Sequence, residues 1–439
     1  MSTLRPTRTS AAVAAALALT LSLTACGAGT DEDTGSTPTQ QETTTMAPEE
    51  TDAMEGGDMS AVMPMGTGDP FADARTAAQH MPETAATLAA GFVAALDIPG
   101  EVDSDAAALR AMMTSLLQEH VYLAGMTVAT GYTAGLDSPE FEAAAATLDV
   151  NSVALADAVG SLAGDEQGEA FLALWREHIG YFVDYAAAAA EGDDAGKEAA
   201  LEDLQAYTQD AGAFFEEVSG GELPAADIAA SLEMHVSTLG AAIDDLAAGS
   251  PEAYASLREA AGHVTEAAAV ISGGLATATE MSGDPADEAS TLRADLTALL
   301  QEHVYLAGVA VFTAYTTEGG TESEAFTAAA EVLDANTVAL ADAVGSLAGP
   351  EQGEAFLGLW REHIGYFVDY AVAISTGDEE AADMALTELD SYRGEAGAFF
   401  EEISGGELPA DAVAEGLAMH VQTLAGAIDS LNAALVQGS

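Results

Sequence analysis

Histidine is the residue type here whose placement could do chemistry. The chain of 439 residues holds eight histidines, in two sets of four that are in register. His80, His120, His178 and His235 match His263, His303, His363 and His420. The first two pairs are offset by 183 residues and the last two by 185, and no histidine lies outside the scheme. The chain is therefore a tandem duplication. Leu116 to Gly125 recurs as Leu299 to Gly308, and Val153 to Ala186 as Val338 to Ala371. Around His80 and His263 most neighbours have changed, yet the histidine is kept.

Each histidine falls on an apolar face at helical spacing, so it should point inward. Leu116, His120, Leu123 and Val128 lie on one face, as do Phe171, Leu174, His178, Tyr181, Phe182 and Tyr185, and Ile228, Leu232, His235 and Leu239. A buried imidazole needs a partner for each ring nitrogen. Two chemistries supply one. In the first, each ring bonds across its own hairpin to Asn151, Asp210 or their counterparts Asn336 and Glu395, and serves packing. In the second, histidines from facing helices converge on a metal, as helical bundles allow. Neutral imidazole suits zinc, copper, nickel or haem iron.

The metal reading nominates His120, His178 and His235, with His303, His363 and His420 as the duplicate site. His80 and His263 stand on the first helix of each repeat, and the sequence leaves open whether they join the site or stand apart. Copper comes first, because Met234 and Met419 precede their histidines and Met59, Met63 and Met65 cluster upstream as soft thioethers. Glu119, Glu177, Glu302 and Glu362 each precede a histidine by one residue, about 100° around a helix, which places them behind the ligands or at the surface. Trp175, Trp360, Tyr122, Tyr305, Tyr181 and Tyr366 read as core residues. There is no HExxH, no Glu-x-x-His pair and no CxxCH. A nucleophile elbow, a Gly-rich phosphate loop and an EF-hand spacing are also missing from the sequence, so it points to binding rather than to an enzyme. The alternative function is a structural or interaction module of the cell envelope.

The elements that must position these rings are helices. The chain is Ala rich with little two-residue alternation, and Ser-Pro-Glu at 138–140 and 250–252 marks helix starts. Ser219-Gly-Gly221 and Ser404-Gly-Gly406 mark stops. The spacing predicts helices near 70–96, 105–134, 139–162, 166–191, 196–219 and 223–248, then 252–278, 287–317, 323–347, 351–376, 379–404 and 408–435. The expected fold is all-α: two tandem six-helix up-and-down bundles, 69–249 and 250–439. A shorter period runs inside each repeat. Glu119-His120, Glu177-His178 and Met234-His235 recur 58 and 57 residues apart, each on the first helix of a hairpin.

The N-terminus reads as an address. Arg5 and Arg8 precede an apolar run from Ala11 to Leu23 that is too short to span a bilayer, closed by Leu23-Thr24-Ala25-Cys26. This resembles the lipobox of bacterial lipoproteins. The resemblance implies that residues 1–25 are a signal peptide, that Cys26 is lipidated, and that the protein sits on the extracytoplasmic face of the cell membrane. Cys26 is the only cysteine. Residues 26–68, rich in Thr, Ser, Gly, Pro and acids, should form a disordered linker. The net charge is −63. That excludes nucleic acid, which needs a basic patch, and leaves the lipid anchor as the expected membrane contact. Arg75/Arg258, Arg110/Arg293 and Arg176/Arg361 keep register and are expected to form structural ion pairs.

Overall fold

A computed structural model describes residues 62–437. Cys26, its signal segment, Met59 and most of the expected linker lie outside the described residues. Within them the chain is all-helical, with helices packed up and down and no strand. The rods are α1 Pro70–Gln79, α2 Met81–Leu96, α3 Asp105–Ala134, α4 Pro139–Ala163, α5 Asp165–Glu191, α6 Asp194–Val218 and α7 Ala225–Ala248. They continue as α8 Ala253–Ala278, α9 Glu288–Thr316, α10 Glu324–Ala348, α11 Pro350–Thr376, α12 Glu379–Ile403 and α13 Ala410–Asn432.

Local chemistry explains most boundaries. Ser138 Oγ accepts from Phe141 N and Ser323 Oγ from Phe326 N, so these side chains cap α4 and α10. Ser104 and Asp287 cap the long helices α3 and α9 in the same way. Gly220 and Gly221 take positive φ after α6, and Gly405 and Gly406 do so after α12. The single helix expected over 70–96 is in fact two. Pro82 lacks an N–H and would crowd the carbonyl of Ala78, so α1 stops at Gln79 and α2 starts afresh at Met81. The matching position in α8 is Thr265, and α8 is unbroken.

The packing follows the short period of the sequence. Helices α3 to α8 form three successive antiparallel hairpins, α3/α4, α5/α6 and α7/α8, and α8 closes back on α3. Helices α9 to α13 supply two hairpins and half of a third. That last half is completed by α1 on α13 and α2 on α9. The N-terminal pair thus plays for the second bundle the part that α8 plays for the first. Gly274 of α8 lies under Leu223, and Gly91 of α2 lies under Leu408. Both leucines are buried beside their Gly-Gly stops.

Where the chain passes between bundles, the loops around 97–104 and 279–287 grip each other. Ala106 N donates to Ser282 O, and Ala289 N to Pro99 O. Arg110 donates to Pro285 O and Thr291 Oγ1, and Arg293 to Val102 O. These two arginines cap carbonyls rather than pairing with acids. Arg176 and Arg361 do form the expected ion pairs, with Asp149 and Asp334 at 2.7 Å.

The central helices α3 and α9 are buried on nearly every side and lie against each other. Their contact carries a buried polar network. Glu119 accepts from Arg75 Nε (2.7 Å), Asn151 Nδ2 (3.0 Å) and Tyr305 OH (3.2 Å). Glu302 accepts from Arg258 Nε (3.0 Å), Asn336 Nδ2 (2.8 Å) and Tyr122 OH (3.0 Å). The two tyrosine rings stack at 5.2 Å.

Candidate metal centres

The first helix of each hairpin brings one histidine to the axis of its bundle. His120 comes from α3, His178 from α5 and His235 from α7. In the second bundle His303, His363 and His420 come from α9, α11 and α13. Within each trio the potential ligand atoms all lie within 4.8 Å of one another, and every ring is buried. These are two buried triple-histidine clusters that could hold metal ions. The nominated histidines are the members of both.

The geometry repeats closely. His178 Nε2 lies 3.4 Å from His120 Nε2, and His363 Nε2 lies 3.3 Å from His303 Nε2. The ring centroids of His120 and His235 are 6.1 Å apart, and those of His303 and His420 are 5.8 Å apart. Two nitrogens about 2.0 Å from one ion and this far apart would subtend roughly 110–116°, within the range of tetrahedral to trigonal coordination. Bringing in the third ring asks for side-chain movement on the order of 1 Å.

An aromatic box holds the rings. Trp175 packs on both His120 (4.8 Å) and His178 (4.4 Å), and Tyr207 stacks on His178 at 4.7 Å. Phe182 meets His235 edge-on at 5.8 Å. Trp360, Tyr392 and Phe367 repeat these contacts around His303, His363 and His420. Both tryptophans lie in the core, as expected. Tyr207 and Tyr392, which no sequence signal marks, are further walls of the site.

Burial strips the rings of protons. Desolvation, then the charge of His235, pushes His120 down to about 3. Desolvation, then His263, pushes His235 down to about 4, and His420 falls to about 4 by burial and then His80. His178, His303 and His363 are driven well below the ordinary value, again chiefly by burial. The carbonyls of Trp175 and Trp360 oppose this for His178 and His363, although neither Nδ1 makes a hydrogen bond of good geometry. At neutral pH all six are neutral imidazoles, the form a metal binds.

The other singled-out residues lie apart from the clusters. His263 Nε2 lies 3.0 Å from the Ser231 carbonyl, and His80 ends α1; neither belongs to a cluster. The hairpin partners expected under the packing reading do not serve the histidines. Asn151 and Asn336 bond to Glu119 and Glu302 instead, while Asp210 and Glu395 are exposed. Glu177 and Glu362 are also at the surface. Met234 and Met419 face outward at 52% and 38% exposure, and Met63 and Met65 are exposed too, so none of these thioethers reaches a cluster. On a helix one residue is about 100°, which turns Met234 out as His235 turns in.

Comparison of the chain with protein-family models, with curated proteins and with solved structures finds no match.

Proposed function

We propose that this is a non-catalytic metal-binding protein that carries one transition-metal ion in each triple-histidine cluster, with copper the first choice of element. One observation carries the reading. Both ring nitrogens of His235, and both of His420, are buried without a hydrogen-bond partner. A histidine kept for packing would be satisfied by a neighbour, because each orphaned polar atom costs about 1–3 kcal/mol. These two rings instead sit beside two further imidazoles. The clusters arise from two repeats, read as two tandem six-helix units, each supplying all three ligands of its own site.

The test is metal uptake by the purified full chain at high salt, where loose binding to the acidic surface is screened. Two ions per chain are expected, with none retained by the His178→Ala, His363→Ala double variant. Equal uptake by parent and variant would return the histidines to packing.

The address belongs to the same proposal. The likeness of residues 23–26 to a lipobox supports a lipid-anchored protein on the outer face of the cell membrane. Cys26→Ser should leave the chain unprocessed or release it from membranes, since stable anchoring needs the acyl chains. A processed Cys26→Ser chain that stays on the membrane contradicts the anchor.

A further inference from the structure

We infer that the ion these clusters take is monovalent copper, bound by three imidazoles and no water. The inference rests on the metal-binding reading and adds the valence, the coordination number and the exclusion of zinc.

Charge favours the monovalent ion. The groups of each cluster are three histidines, with no carboxylate or thiolate among them. A divalent ion would keep its full double charge, and Cu(I) a single one. The cost of placing an ion in an apolar medium grows as the square of its charge, so the divalent ion costs about four times as much. No unpaired buried acid on the ligand-bearing helices offsets it. Glu119 and Glu302 are the buried acids on the ligand-bearing helices α3 and α9, and they are already engaged by Arg75 and Arg258 at the interface. The walls of the cluster are indole, phenol and phenyl rings.

Coordination number favours the same ion. Zinc takes four ligands, commonly completing a three-residue set with water. A bound water needs two to four polar partners. The void beside His420 has a volume of about 30 Å³; its walls are mostly apolar, among them Met81, Leu88, Phe92 and Leu417, and its polar groups are Thr84, the Trp360 indole and His420 itself. With the Thr84 proton given to the His80 carbonyl and His420 taken by the ion, a water in this second bundle would find the Trp360 N–H and little else. A filled-shell monovalent ion is content with three nitrogens, and imidazole is an acceptable donor to copper. The Nε2 separations of 3.4 and 3.3 Å also leave no room for a porphyrin between the rings.

The experiment uses the full chain without oxygen. Cu(I) is supplied as its complex with the chromogenic chelator bicinchoninate. Zn(II), Ni(II) and Cu(II) salts are supplied in parallel, and each sample is desalted in 1 M NaCl. The expected result is withdrawal of two Cu(I) per chain from the chelator, with loss of the divalent ions on desalting. X-ray absorption should show a Cu(I) edge with three nitrogen neighbours. The His178→Ala, His363→Ala variant should withdraw none. The His235→Leu, His420→Leu variant, which removes only orphaned polar atoms, repeats the test in a chain better placed to stay folded. Retention of Zn(II) or Cu(II) at two per chain, lost in both variants, overturns the Cu(I) assignment and leaves the metal site standing. A fourth, oxygen neighbour on the copper also overturns it. Failure of every ion to distinguish parent from variants removes both readings.

Discussion

His235 and His420 set function against stability at single residues. Without metal, each ring keeps two polar atoms buried and unpaired. Leucine fills a similar volume and brings no polar atom. His235→Leu and His420→Leu should therefore raise the melting temperature of the metal-free chain, each by the equivalent of about 1–3 kcal/mol, while abolishing uptake at their own site. A lower melting temperature for both would mean that the rings are satisfied in solution. The same burial gives a pH dependence. Folded His235 and His420 titrate at about 4 and His120 at about 3, against about 6.5 in an unfolded chain. Between these values the unfolded chain binds protons that the folded chain refuses. The histidine contribution is complete above about pH 6.5 and is lost as the pH falls toward 4, roughly 3 kcal/mol for each of His235 and His420. Melts of the parent and the two leucine variants at pH 7.5 and 5 should show a shallower pH slope in the variants.

At the scale of the helix, the weak point is the docking of α2 and α8. A Cβ on Gly91 would fall 2.3 Å from Leu408 Cγ, and one on Gly274 would fall 2.4 Å from Leu223 Cγ. Both leucines are held in place by the core, so Gly91→Ala and Gly274→Ala should each destabilise by about 1–3 kcal/mol despite alanine's better helix propensity. A rise in stability on chemical denaturation would show that the contact relaxes without cost. Helix positions were largely legible in the sequence, because caps such as Ser138 and stops such as Gly220-Gly221 act within one turn. The triads were legible as inward faces at a regular period. Their partners were not. Asn151 stands where a hairpin neighbour of His120 belongs, yet it turns to Glu119, since a carboxylate outcompetes a neutral ring for an amide donor. Tyr207 and Tyr392 carry no periodic mark that separates a site wall from ordinary core.

At the scale of the molecule, the two bundles are tied by the Glu119 and Glu302 network and by α1 and α2. The pairing of α8 with α3 places the packing boundary beyond the repeat boundary near Gly249. The near-identical long repeats marked the duplication, but only the shorter period of about 57 residues pointed to the three hairpins. Which copy of the last half-hairpin closes which bundle is a long-range matter with no local trace. Calorimetry of the full chain should give one cooperative transition, with agreement between calorimetric and van't Hoff enthalpies. Two resolved transitions would mean that the network is weak. Glu119→Gln leaves the Arg75 guanidinium without its charge partner and should lower the transition by the equivalent of about 3 kcal/mol, read by denaturant titration.

The part played by α1 and α2 also sets an order in time. Ser430 Oγ donates to Asp73 Oδ2 across 357 residues of chain. The ribosome makes α1 and α2 early, the seat of α2 on α9 later and the seat of α1 on α13 last. At 5–20 residues per second, some tens of seconds separate the first of these from the last. The first bundle can close once Ala278 has emerged, and it does so around its own α8. Until α13 arrives, Phe71, Met81, Leu88 and Phe92, all buried in the finished protein, lack part of their cover. A nascent chain stalled before Ala410 should bind a hydrophobic dye or a holding chaperone through this segment, and one released at full length should not.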